Sequence, residues 1–192
     1  MSLRALFSLI AVAAALIFSG SAPAAEPVKA GDFTLPDYNG TPHSLSDYNN
    51  AKAIVVMFIA TQCPVSNGYN GRMEALYADY KDKGVVILGI NSNKSETIDE
   101  IKSHAKEHGL EFTILKDTGN VVADRFGASV TPETYILSPS HEILYHGRID
   151  DSRRESEVSS RDLRTALDEV LAGKTVSVKE TRAFGCTIKK VD

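Results

Sequence analysis

Cys63 and Cys186 are the only two cysteines in the 192-residue chain. The first stands in Ala60-Thr61-Gln62-Cys63-Pro64-Val65-Ser66, where an apolar run (53–60) hands over to a helical pattern. A continuous run of that kind, rich in β-branched residues, reads as a strand buried on both faces. Proline in the first turn of a helix costs no hydrogen bond, because that N–H has no intrahelical partner. The free N–H groups of the turn and the positive end of the helix dipole then face the sulfur and favour thiolate over thiol. The thiolate is the nucleophile, and a cysteine so placed is expected to titrate below the free value of about 8.5. The same context also suits an inert thiol, since free cysteine is among the most buried residue types. Ser66 stands where a C-x-x-C motif carries its second cysteine. Its hydroxyl can hydrogen-bond a thiolate but cannot resolve a mixed disulfide.

Cys186 is the remaining candidate partner. It lies in Ala183-Phe184-Gly185-Cys186-Thr187-Ile188, thirteen residues past Gly173. Gly185 offers freedom to turn, and Phe184 and Ile188 are apolar enough to dock the tail. A 63–186 bridge would close a loop of about 120 residues, which chain entropy values at no more than roughly 5 kcal/mol. The alternative is a lone thiol on a frayed tail. Spacing alone does not say whether the two Cα atoms come within the roughly 4.4–6.8 Å that a bridge requires.

The elements that must position these thiols follow from periodicity and punctuation. Residues 32–50 carry turn chemistry at Pro36-Asp37 and Asn39-Gly40 and read as two short strands in a hairpin. Past Cys63, apolar residues at 69, 73, 76, 77 and 80 predict one helix that stops near Gly84. Residues 85–90 form a second buried strand. Thr97-x-x-Glu100 is a capping box opening a helix with Ile98, Ile101 and Ala105 on one face and Gly109 at its end. Residues 112–115 read as a strand and 120–127 as a short helix. Residues 134–137 and 142–149 read as a strand pair, and 163–171 as an amphipathic helix closed by Gly173. Strands alternating with helices, then a strand pair and a last helix, imply an α/β fold with a mixed sheet covered on both faces. The charged stretch 150–160 reads as an exposed loop, and Arg148 beside Asp150 and Asp151 as a surface ion pair.

The N-terminus has a different signature. Arg4, an apolar run over 5–18 and Ala22-Pro23-Ala24 match a secretory signal peptide cleaved after residue 24. The run is short for a membrane span, which needs about 20 apolar residues, so no stable membrane insertion is expected after cleavage. Export predicts a periplasmic protein in an oxidising compartment, where two thiols either pair or do chemistry. Losing Arg4 leaves 20 basic against 25 acidic residues, a mildly acidic balance that argues against nucleic acid. The remaining 168 residues suit one domain over 25–174, followed by a tail over 175–192.

The hairpin, the Cys63-Pro64 pair after the long strand, and Thr131-Pro132 after Gly127 together resemble the thioredoxin-like superfamily, in its exported redoxin or peroxiredoxin-like (AhpC/TSA-type) branch. The resemblance runs over about 31–174. It implies the three-layer thioredoxin-like fold with an N-terminal hairpin extension. It also implies a cis-proline at Pro132 facing the active Cys63, with Thr61, Gln62, Pro64, Ser66 and Thr131 in support. The implied activity is thiol–disulfide exchange with protein or small-molecule thiols, with Cys186 as possible resolving cysteine and without nicotinamide, flavin or metal. Two departures bear on activity. Ser66 replaces the second cysteine of thioredoxins. Ala60 stands where peroxiredoxins carry a threonine, which leaves only a weak thiol peroxidase as an alternative. A non-catalytic client-binding or copper-handling module is the rival reading. His104 and His108 at i, i+4, or His146 with the two cysteines, are its thin metal candidates, since a zinc site normally takes three or four ligands.

Overall fold

The structure, a computed structural model, describes residues 28–191. The signal peptide expected over 1–24 lies outside them. Strands β1 (Thr34–Pro36) and β2 (Pro42–Ser44) form the expected hairpin, closed by Asp37, whose side chain accepts the Asn39 and Thr41 N–H groups at 2.8 Å. The core sheet follows from β3 (Ala53–Ile59), β4 (Val85–Asn91), β5 (Thr113–Lys116), β7 (Glu133–Leu137) and β8 (Ile143–Gly147). Its order is β5-β4-β3-β7-β8, with β3, β4 and β5 parallel, β7 antiparallel to β3, and β8 antiparallel to β7.

The β3 strand is central and every residue in it is buried. Its alternate residues point to opposite sides, which is why the run reads as continuous in sequence. Val55, Met57 and Ile59 meet α2 (Asn70–Tyr80), α3 (Ile98–His108) and α5 (Asp162–Leu171). Ile54, Val56 and Phe58 meet the hairpin and α4 (Val121–Phe126). The sheet is thus mixed and covered on both faces, as the alternation of elements implied.

Helix boundaries obey their caps. Thr97 accepts the Glu100 N–H at 3.2 Å, Glu100 accepts the Thr97 N–H at 2.6 Å, and Gly109 ends α3 in the left-handed region. Ile98 departs from its expected face: Ile101 and Ala105 are buried, but Ile98, in the first turn, is 43% exposed. The helix after Cys63 is also not continuous. Pro64–Asn67 forms a single turn, α1, and α2 begins only at Asn70. The break falls at Gly68-Tyr69, beside a glycine of low helix propensity. There the Tyr69 hydroxyl is drawn to Asp150 and to the Ser152 carbonyl, both at 2.9 Å.

The stretch 150–160 is not uniformly exposed. Asp150 is buried and takes Arg72 Nη1 at 2.7 Å, and that guanidinium stacks 3.5 Å over the Tyr69 ring. Arg148 pairs instead with Asp162 at 2.8 Å. The surface ion pair expected within 148–151 is therefore replaced by a buried one that fastens this loop to α2.

The C-terminal segment returns across the sheet. Residues of β9 (Cys186–Thr187) pair antiparallel with β6 (Val130–Thr131), in the register Val130↔Thr187 and Thr131↔Cys186. Upstream, His146 N donates to the Lys179 carbonyl at 2.9 Å and Thr181 N to the His146 carbonyl at 3.0 Å. Downstream, Ile188 is buried in the hairpin-side core, and Lys189 N reaches Asn93 Oδ1 at 2.7 Å.

Candidate active site

Cys63 is the N-cap of α1, with extended backbone (φ −88°, ψ 115°), at the point where β3 ends. Its Sγ accepts the Ser66 N–H at 3.3 Å and lies 3.4 Å from the Thr131 carbonyl oxygen. The Thr131-Pro132 peptide bond is cis. Cys63 and Cys186 are joined in a disulfide with their Cα atoms 5.9 Å apart, across 123 positions of sequence.

Three details differ from the sequence reading. The Ser66 contact to sulfur is made by its backbone N–H, while its hydroxyl accepts the Ala60 N–H at 3.1 Å and closes the turn from within. Because α1 is a single turn, the local N–H donor rather than a long helix dipole is what favours a charged sulfur. The sulfur is also not open to visitors: Cys63 is only 4% exposed, and the β9 segment covers it. Phe184 of the same segment packs on Tyr69, ring centroids 6.3 Å apart.

Thr61 and Gln62 support the site from its N-terminal side through their backbone. Their N–H groups donate to Oε2 and Oε1 of Glu96 at 2.7 and 3.1 Å. Glu96 is buried, and it also accepts the side-chain amides of Asn91 and of Asn93, the latter at 3.0 Å. Both amides are themselves fixed. Asn91 Oδ1 accepts Lys116 Nζ at 3.0 Å, and Asn93 Oδ1 accepts the Lys189 N–H of the tail. Burial pushes the Lys116 ammonium below its ordinary pKa, opposed by the nearby Glu96 carboxylate. Glu96 is not singled out by the sequence, where it lies in the short polar stretch between the strand over 85–90 and the Thr97–Glu100 capping box. The density of amides there is the one local signal.

On the other flank, Glu133 follows the cis-proline and is buried. Burial works against its charge, but His146 Nε2 at 2.6 Å and the Ser129 and Val130 N–H groups at 2.8 and 3.1 Å hold its carboxyl below the usual range. These bonds pin β6, the strand that carries Thr131. They also commit His146 to Glu133, while both sulfurs are committed to each other. His104 and His108 lie with ring centroids 4.3 Å apart, and His104 Nε2 faces the Asn70 amide at 3.1 Å. Burial, and then His108, push the His104 pKa down. No cluster of three or more metal-binding side chains occurs among the described residues.

The comparisons with known proteins accord with this geometry. The model of the AhpC/TSA family matches residues 28–146. The thiol-disulfide oxidoreductase ResA of Halalkalibacterium halodurans is 31% identical over 116 residues, covering 60% of this chain and 64% of that protein, just under two thirds. The chloroplastic peroxiredoxin Q of Sedum lineare is 29% identical over 134 residues, covering 65% and 70%. Among solved structures, a hypothetical protein of Sinorhizobium meliloti superposes with TM-score 0.81 at 32% identity, covering 86% of this chain and 94% of that one. A putative thiol:disulfide interchange protein DsbE of Chlorobium tepidum, at 20% identity and TM-score 0.61 over 77% and 95%, shares the fold. The fold is thioredoxin-like, and the chain belongs to the AhpC/TSA family.

Proposed function

We propose that the protein is a thiol–disulfide oxidoreductase that cycles Cys63 and Cys186 between dithiol and disulfide. The observation that carries this reading is the disulfide between the N-cap cysteine of α1 and the cysteine laid beside Thr131-Pro132. In the reducing direction, the Cys63 thiolate attacks one sulfur of a partner disulfide. A mixed disulfide forms, and the partner's other sulfur leaves as thiolate. The Cys186 thiolate then attacks Cys63 Sγ, releases the second partner thiol, and restores the 63–186 bridge. Two electrons pass from the enzyme to the partner, and the oxidising direction is the reverse. The Ser66 N–H stabilises the charged Cys63 sulfur, Pro64 opens the turn, and Thr61 and Gln62 hold the preceding loop. Thr131 and Pro132 present backbone to the partner. Partners are protein or small-molecule thiols and disulfides.

Export to the periplasm belongs to the same proposal. Its support is the N-terminal pattern of Arg4, the apolar run and Ala22-Pro23-Ala24, together with a disulfide, which persists in oxidising compartments. The peroxidase variant is favoured by the match to peroxiredoxin Q. In it, peroxide converts the Cys63 thiolate to a sulfenic acid, and Cys186 condenses with that acid to the same bridge, releasing water.

The test is exchange between the reduced protein and oxidised glutathione, read by mass spectrometry. Cys63→Ser is expected to abolish reaction, and Cys186→Ser to stop at a Cys63–glutathione adduct. Exchange that survives Cys63→Ser would defeat the assignment. Turnover by Cys186→Ser at the wild-type rate would remove Cys186 as the resolving thiol. Hydrogen peroxide consumption by the wild type, measured in parallel, separates the two variants.

A further inference from the structure

The β9 segment and an incoming partner must use the same place. Cys63 Sγ is almost fully buried and lies against the Thr131 carbonyl, so a second sulfur reaches it from where Cys186 now stands. The residue before Cys186 is Gly185, and it touches the wall of that place. A Cβ added at Gly185 would overlap the carbonyl group of Thr131 and stand 3.3 Å from Pro132 N. Gly185 is not among the glycines with positive φ, so the requirement there is for space and not for an unusual torsion. The wall does not yield easily. Thr131 is buried, and the Ser129 and Val130 N–H groups behind it are fixed by Glu133. Beyond the cysteine the demands differ: Thr187 is exposed, whereas Ile188 is buried and its N–H donates to the Ser129 carbonyl at 2.9 Å.

We infer that this seat selects extended partner segments in which the reacting cysteine is preceded by glycine and followed, two positions on, by an apolar residue. The inference rests on the exchange function proposed above and names its substrate class. The tail is the resident occupant, with the pattern Gly185-Cys186-Thr187-Ile188. In the reduced enzyme, a protein disulfide displaces the unbonded tail, and the Cys63 thiolate bonds to one of its sulfurs as the other leaves as thiolate. The tail then displaces that partner as Cys186 forms the 63–186 bridge. Segments with a side chain before the cysteine meet the Thr131 carbonyl and are held away from the buried sulfur. Disulfides with no peptide chain beside the sulfur escape the rule.

The experiment uses the full chain carrying Cys186→Ser, reduced, and follows formation of Cys63 mixed disulfides by mass spectrometry. The probes are symmetric disulfides of a peptide spanning residues 183–189, the same peptide with Gly185→Ala, the same with Ile188→Asn, and hydroxyethyl disulfide. The glycine peptide is expected to react at least about tenfold faster than the alanine peptide, the scale on which one methyl group is discriminated in a tight site. The asparagine peptide should also be slower than the parent. Hydroxyethyl disulfide should react with Cys63 regardless. Equal rates for the glycine and alanine peptides would overturn the seat while leaving exchange intact, as would reaction with hydroxyethyl disulfide alone. No reaction with any probe would overturn exchange itself. As a second arm, Gly185→Ala in the otherwise unchanged chain, checked for fold by circular dichroism, should lower the equilibrium formation of the 63–186 bridge against dithiothreitol by about tenfold. An unchanged equilibrium would count against the inference.

Discussion

Replacing the buried Glu96 by glutamine isolates the contribution of one carboxylate to the loop that carries Cys63. Four donors converge on its two oxygens: Asn91 and the Thr61 N–H on Oε2, Asn93 and the Gln62 N–H on Oε1. Glutamine keeps one acceptor oxygen and puts an NH2 group in place of the other, so whichever way it turns, two donors face a donor. The usual escape is to flip an asparagine amide. Here it fails on both sides, since Asn91 Oδ1 holds Lys116 Nζ and Asn93 Oδ1 holds the Lys189 N–H. Hydrogen bonds to a charged group contribute about 1.5–3 kcal/mol each, so losing two comes to roughly 3–6 kcal/mol before relaxation. We expect Glu96→Gln to lower unfolding free energy by about 3 kcal/mol, the low end of that range. The assay is urea unfolding followed by far-ultraviolet circular dichroism, with the slope in urea unchanged. The same variant should raise hydrogen exchange at the Thr61 and Gln62 amides above that of β3. A loss below about 1 kcal/mol, the worth of one ordinary hydrogen bond, would refute the convergence argument.

Three further outcomes are expected. Cys186→Ser removes a cross-link spanning 123 positions, whose loop-closure ceiling is about 5 kcal/mol. The variant should therefore melt below the oxidised wild type by calorimetry, by up to about 10–20 °C, and dithiothreitol should lower the melting of the wild type but not of the variant. Arg72→Ala strands the buried Asp150 carboxylate, which should cost about 3–5 kcal/mol in urea unfolding; a loss under about 1 kcal/mol would mean the pair is solvated. Because burial depresses the His104 pKa below its ordinary 6.5, the folded state binds that proton less readily than the unfolded chain. Stability should be full above pH 6.5 and fall as pH drops through it, and His104→Gln should flatten that slope in melting curves taken between about pH 7.5 and 5.

What the sequence carried, and what it did not, divides by the range of the interaction. The β3 strand, the Thr97–Glu100 capping box and the Gly109 and Gly127 helix ends depend on residues within a few positions of one another, and all are legible as local pattern. The position of Cys63 at the strand-to-helix turn is legible for the same reason, because Pro64 marks the turn beside it. Glu96 is not, since two of its four donors lie 34 and 35 positions away. Asp150 was misread for a like cause: a charged residue in a polar loop reads as exposed until Arg72, from a distant helix, is placed on it.

Glycine shows the limit most directly. In a sequence it signals freedom, and Gly185 reads as a place for the tail to turn. In the fold it marks a close approach, where the absent Cβ lets β9 lie against the Thr131 carbonyl. Gly147 does the same upstream, where a Cβ would overlap Thr181 of the tail, and its φ of +148° adds a torsion that other residues avoid. Two glycines thus clear the path of one segment, one of them on the sheet and one on the segment itself. Neither position is interpretable without the other surface, because what selects glycine is the distance between two backbones and not the conformation of either.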